Sequence, residues 1–148
     1  MIVRCVGNTG MSLAHYEYEH LFDKNTFGRF GTSEDSEYPI VIGKEYLVMG
    51  LIVFKDYQAY LIDDDGYIVR CPCQLFEIVD SEINSNWHFR TIDREETIYP
   101  FVQAIFGYPE LCSDIRAFEK LIIDRDQEAQ QIYFRRKIEL ERKLKDDC

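Results

Sequence analysis

The densest group of cation-binding side chains in the chain is Asp63-Asp64-Asp65-Gly66. A calcium loop of the EF-hand type needs alternating oxygen ligands and a bidentate acid about six residues after its glycine. Here the acids are consecutive, and Pro72 stands where that last ligand would be. The same residues meet a different requirement, because Asp-Gly supplies the positive φ that a tight hairpin turn needs. The expected structure is a hairpin tip with solvated acids, suited to meeting a basic partner.

Cys71-Pro72-Cys73 could offer two thiolates from one side of an extended segment. A structural zinc site needs four ligands in recognisable pairs, and Cys5, Cys112, His15, His20 and His88 are scattered. Five cysteines, an odd number with Cys148 at the last position, fit reduced thiols that pack as small apolar groups. Catalysis would need a nucleophile, a base and an orienting group. The three histidines lie near aromatic residues and in no nucleophile motif, and Gly7-Asn8-Thr9-Gly10 lacks the spacing and lysine of a phosphate loop. The expectation is therefore a protein that is not an enzyme, with no catalytic residue, no metal and no cofactor.

The single tryptophan, Trp87, has two readings. Core packing is one, and the other is an exposed aromatic groove for an extended peptide, shared with Tyr46, Tyr57, Tyr60 and Tyr67. Strand alternation leaves both open. Arg135-Arg136-Lys137 is a short basic run set among Glu139 and Glu141, which reads as a solvated helical face.

The elements that would position these residues are mostly short strands. Residues 1–6 alternate and predict a first strand. A long polar stretch follows from 11 to 37, with room for a short strand at 15–20. Residues 40–54 are rich in β-prone types, with Gly43 marking a turn and Gly50 a bend or bulge. Strands are expected at 59–62, 67–71, 75–79 and 87–90. Strands at this spacing suggest a small curled barrel, since a flat sheet would leave long apolar edges.

After residue 97 the period changes. Residues 98–106 predict a short helix with Pro100 in its first turn. Gly107-Tyr108-Pro109 breaks it, and Glu110 to Ile123 has helical spacing with Leu111, Ile115, Phe118 and Ile122 on one side. Gln127 to Lys145 predicts a last helix, with Ala129, Ile132, Tyr133, Leu140 and Leu144 in an incomplete stripe. The fold expectation is α+β: a small antiparallel β-barrel over residues 1–92, then two or three helices over 97–146 packed on it.

Charge narrows the partners. The net charge of −10 is uneven: residues 1–96 hold 17 Asp and Glu against 8 Lys and Arg, whereas 97–148 hold 10 against 9. A surface of that sign repels phosphate backbones and anionic lipid and favours a basic partner. The beginning of the chain meets polar residues at once, and no apolar run approaches the roughly 20 residues that span a bilayer. A cytoplasmic protein with no nucleic-acid or membrane partner is expected.

The segments Gly43-Lys44-Glu45-Tyr46-Leu47-Val48-Met49-Gly50, Tyr60-Leu61-Ile62-Asp63-Asp64, Leu75-Phe76-Glu77-Ile78-Val79-Asp80 and Trp87-His88-Phe89 resemble a group of small bacterial proteins, mostly uncharacterised. The likeness extends to Gly107-Tyr108-Pro109-Glu110 and Ile132-Tyr133-Phe134-Arg135-Arg136, and Cys71-Pro72-Cys73-Gln74 departs from the group's pattern. Members resemble SH3-like barrels followed by helices, and resemble the immunity proteins that neutralise bacterial toxins. The resemblance implies a non-catalytic inhibitor that binds a basic toxin domain at its active site or substrate groove. Glu34, Asp35, Glu37, Asp63, Asp64 and Asp65 are the expected contacts, with Tyr57 and Tyr67 as anchors beside the hairpin. The alternative is an adaptor whose aromatic barrel face binds a peptide segment of another protein.

Overall fold

The computed structural model describes residues 1–17, 28–83, 86–93, 101–114 and 116–147. Eight strands are present among them: β1 Ile2–Cys5, β2 Glu45–Leu47, β3 Gly50–Phe54, β4 Gln58–Asp64, β5 Tyr67–Pro72, β6 Phe76–Asp80, β7 His88–Thr91 and β8 Val102–Gly107. Short 3-10 turns cover Gly10–Tyr16 and Cys73–Leu75. The helices are α1 Pro109–Ser113, a π-helical segment Glu119–Ile123, and α2 Gln127–Asp146.

The strands do not close into a barrel. They form two antiparallel sheets, a small one ordered β2-β1-β6 and a large one ordered β5-β4-β3-β8-β7. The barrel expected from strand spacing, SH3-like by the resemblance, is thus replaced by a layered α+β fold. The reason is visible in β4. Ala59, Tyr60, Leu61 and Ile62 are all buried, so this strand has a covered surface on both sides, which a barrel with a solvent-facing exterior does not provide. Ala59 and Leu61 enter a core with Ile52, Ile105, Leu111, Phe118, Leu121 and Tyr133, on the helical side. Tyr60 and Ile62 enter a second core with Val3, Cys5, Tyr46, Val48, Leu75 and Phe76, on the side of the small sheet. The large sheet is therefore the middle layer of three.

The β-rich stretch from 45 to 54 is divided between the sheets. β2 pairs with β1, and β3 pairs with β4 and β8. Gly50 is where the chain enters the large sheet, opposite Gly107 on β8. A Cβ at Gly50 would lie 2.9 Å from Leu111 Cδ2, and one at Gly107 would lie 2.7 Å from the same atom. Two glycines facing each other let α1 seat Leu111 against bare backbone.

The segment expected as a helix over 98–106 is instead β8 in its described part, paired with β3 on one side and β7 on the other. A run of apolar residues of this length does not choose between helix and strand; here two open strand edges claim it. The helix expected from Glu110 to Ile123 is also interrupted. α1 stops at Ser113, and Asp124 N–H donates to Glu119 O at 2.9 Å in a π-type turn. That change of period buries Leu121 together with Leu111 and Phe118 and leaves Ile122 only partly covered; Ile115 lies outside the described residues. The long helix α2 follows its expected span closely, with Asp126 capping it through Ala129 N–H at 3.0 Å. Part of the stretch expected as a strand at 15–20 is the end of the first 3-10 turn, and residues 18–20 lie outside the described ones.

Candidate functional site

The β4–β5 hairpin turns at Asp65 and Gly66, with φ of 46° and 94°, between the paired residues Asp64 and Tyr67. Two positive φ values in a two-residue connection are what Asp-Gly tolerates best. The turn is as expected, but its charge is not bare. Asp63 is buried, and its Oδ1 accepts from Tyr133 Oη at 3.0 Å and Lys137 Nζ at 2.7 Å, while Oδ2 accepts from Gly66 N–H at 3.1 Å. Asp64 is half-buried and accepts from Lys44 Nζ at 2.7 Å and Tyr46 Oη at 2.9 Å. The Lys44 ammonium holds the Asp64 carboxyl below its usual range, and Asp64 in turn raises Lys44. Asp65 is exposed and lies 3.1 Å from the same ammonium. Beyond the turn, the Arg125 guanidinium stacks 4.5 Å from the Tyr67 ring centre and donates to Ile68 O.

The three carboxylates are thus ion-paired with two lysines, Asp63 with Lys137 and both Asp64 and Asp65 with Lys44, and only Asp65 of the expected acidic tip is exposed. Asp63 is a core group tying sheet to helix, and its inclusion among partner contacts is corrected by its burial. The partners come from far along the chain, which local reading cannot see. One signal was available: Tyr133 and Lys137 are four residues apart and share a face of α2.

The expected anchors do not come together either. Tyr67 is about half exposed beside the turn. Tyr57 precedes β4 at the other end of a ladder running from Ala59↔Pro72 to Asp64↔Tyr67, roughly 17 Å long at strand rise. It is half-buried, packed on Phe30 and Phe54 at centroid distances of 5.3 and 5.0 Å, and accepts from Arg70 at 3.0 Å. Tyr57 is a packing residue. Tyr46 and Tyr60 are 3% and 7% exposed in the second core, which removes the aromatic barrel face that the adaptor alternative required. Trp87 is half-buried against the same core and beside Leu140 of α2, and its Nε1 has no hydrogen-bond partner among the described residues.

Glu34, Asp35 and Glu37 remain at the surface, Glu34 half-buried and the other two exposed. Their loop is pinned. Gly10 N–H donates to Ser36 O at 2.8 Å, Met11 N–H to Glu34 O at 3.1 Å, and Tyr38 N–H to Asn8 O at 2.8 Å; Thr9 and Glu37 form an isolated β-bridge. A Cβ on Gly10 would fall 1.8 Å from Ser33 O, so the close approach of the two segments depends on glycine here. The Gly7-Asn8-Thr9-Gly10 motif positions an acidic loop.

The thiols are recessed. Cys5, Cys71 and Cys112 are buried and Cys73 is partly so. Burial pushes Cys71 and Cys73 up to about 12 and Cys112 to about 11. No group of three or more His, Cys, Asp or Glu among the described residues is arranged to hold a metal ion. His15 and His88 are exposed on separate elements, and His20 lies outside the described residues. Of Arg135-Arg136-Lys137 only Arg135 is exposed as a solvated face would be; Arg136 clamps Glu110 at 2.6 and 2.9 Å and Lys137 reaches Asp63. No described helix is long and apolar enough to cross a membrane. Comparison with family models, curated proteins and solved structures finds no match to this chain.

Proposed function

We propose that the protein is a non-catalytic inhibitor of the immunity type, which acts in the cytoplasm by covering the active site or substrate groove of a basic toxin domain. The observation that supports this reading is where unmatched negative charge lies. Around the hairpin, and at Arg4 with Glu45 and Glu77, the carboxylates are ion-paired within the chain, Lys44 and Arg4 each serving two of them. Asp35 and Glu37 are exposed, make no ion pair among the described residues, and sit on a loop held by backbone hydrogen bonds. A fixed anionic loop attracts a cationic surface and raises the rate of encounter, and its rigidity lowers the ordering loss on binding.

The test is co-purification with the product of the adjacent upstream gene, followed by kinetics. The expected result is a one-to-one complex whose association rate falls with salt, and falls roughly tenfold in the doubly reversed variant Asp35→Lys, Glu37→Lys. Association unaffected by both salt and charge reversal would sink the reading.

A further inference from the structure

The acidic loop is not alone on its surface. The segments at residues 5–11 and 34–44 run side by side, joined by Gly43 N–H to Cys5 O at 2.8 Å, Cys5 N–H to Lys44 O at 3.0 Å, and the bonds from Tyr38, Met11 and Gly10 given above. Asn8 Nδ2 donates to Ile40 O at 3.1 Å within the same pairing. Along these two segments Val6, Met11, Val41 and Ile42 are 50%, 53%, 52% and 60% exposed. Four large apolar side chains left in water on a backbone held this firmly are not folding leftovers of a mobile loop. The second of these segments also carries Glu34, Asp35 and Glu37.

Resting on the reading above, we infer that residues 6–11 and 34–42 form one docking strip, in which Val6, Met11, Val41 and Ile42 insert into apolar clefts of the partner while Asp35 and Glu37 meet its cations. The occupant is a basic protein surface with apolar clefts between its lysines or arginines. Charge complementarity selects it over an acidic or neutral one, since Asp35 and Glu37, on the same pair of segments as the apolar side chains, have no ion-pair partner among the described residues. Apolar anchors inside a polar rim are the usual division of labour at an interface, the anchors supplying affinity and the rim supplying steering.

The experiment is a titration of the isotopically labelled protein, at near-physiological ionic strength, with two short peptides, one alternating lysine with leucine and one alternating lysine with serine. The expected result is amide shifts at Met11, Asp35, Glu37 and Ile42, with the leucine peptide binding roughly tenfold tighter. The variant Val41→Ser, Ile42→Ser, at exposed positions that leave the cores intact, removes that difference. Equal binding of the two peptides to the strip overturns the apolar part and leaves the acidic-inhibitor reading standing. Binding of the leucine peptide elsewhere, at the Trp87 and Leu140 surface for example, overturns the strip. Absence of binding by either peptide counts against both.

Discussion

The carboxylate of Asp63 and the phenol of Tyr133 meet at 3.0 Å between β4 and α2, both inside the protein. Lys137, one turn further along α2, adds a second contact at 2.7 Å to the same oxygen. One buried acid therefore joins the hairpin, the middle sheet and the last helix.

That junction predicts a measurable coupling. Tyr133→Phe removes one donor to a charged acceptor and is expected to lower stability by about 2 kcal/mol. Asp63→Asn leaves Lys137 with only the more distant Glu141, at 4.0 Å, and is expected to lower it by about 3 kcal/mol. In urea unfolding, the double variant should lose about 1 kcal/mol less than the sum of the two. Strict additivity would mean the contact contributes nothing in solution.

The acid limb of stability follows from two other pairs. Glu110 is held below its usual range chiefly by Arg136, and Asp64 by Lys44. Because their folded pKa values are depressed, the unfolded chain binds more protons in between. Their stabilisation is complete above the ordinary carboxylate range near ~4 and is lost as pH falls through the folded values. The urea midpoint is expected to decline below about pH 4, and Glu110→Gln should be less stable at neutral pH by about 1 kcal/mol with a shallower decline. Parallel declines for the two proteins would contradict the Arg136 assignment.

Thiol chemistry tests the second core. A Cys71 raised to about 12 leaves only about one thiolate in ten thousand at pH 8, and the side chain is sealed between the sheets. Cys5, Cys71 and Cys112 are expected to resist an aromatic disulfide reagent in the native state and to react once urea unfolds the chain. Prompt native labelling of Cys71 would show that the small sheet opens readily.

Gly10 offers the sharpest local test. A methyl group there meets the Ser33 carbonyl at 1.8 Å, so the backbone must part. Gly10→Ala is expected to cost about 1–3 kcal/mol through overpacking. Amide exchange at Met11 should accelerate, since its bond to Glu34 O spans the strained contact, while amides of β4 keep their relative order of protection. Unchanged exchange at Met11 would show that the two segments are not held at this spacing.

Much of the local structure was legible from residue types alone. Asp65-Gly66 specified its turn because few other residues accept positive φ, the first strand followed from the alternation over residues 1–6, and the strand expected at 59–62 lies inside β4. The last helix declared itself by its period, and the structure adds the cap at Asp126. The acidic loop at 34–37 could be named, but nothing local said that Gly10 would clamp it.

What failed did so for one kind of reason. Residues 102–107 carry no preference strong enough to settle their state, and they became a strand because β3 and β7 each present an edge to them. Asp63 reads as a solvated acid until Tyr133 and Lys137 arrive, and Tyr46, Tyr57, Tyr60 and Tyr67 are indistinguishable until two cores bury some and leave one in water. Turn chemistry and helix capping act over three or four residues, so the sequence by itself determined the hairpin, the long helix and the excess of negative charge. Burial and charge pairing depend on which distant surfaces meet, so only the tertiary structure decided that a layered sheet replaces a barrel, that the aspartates of the hairpin tip pair with Lys44 and Lys137, and that Asp35 and Glu37 make no ion pair among the described residues.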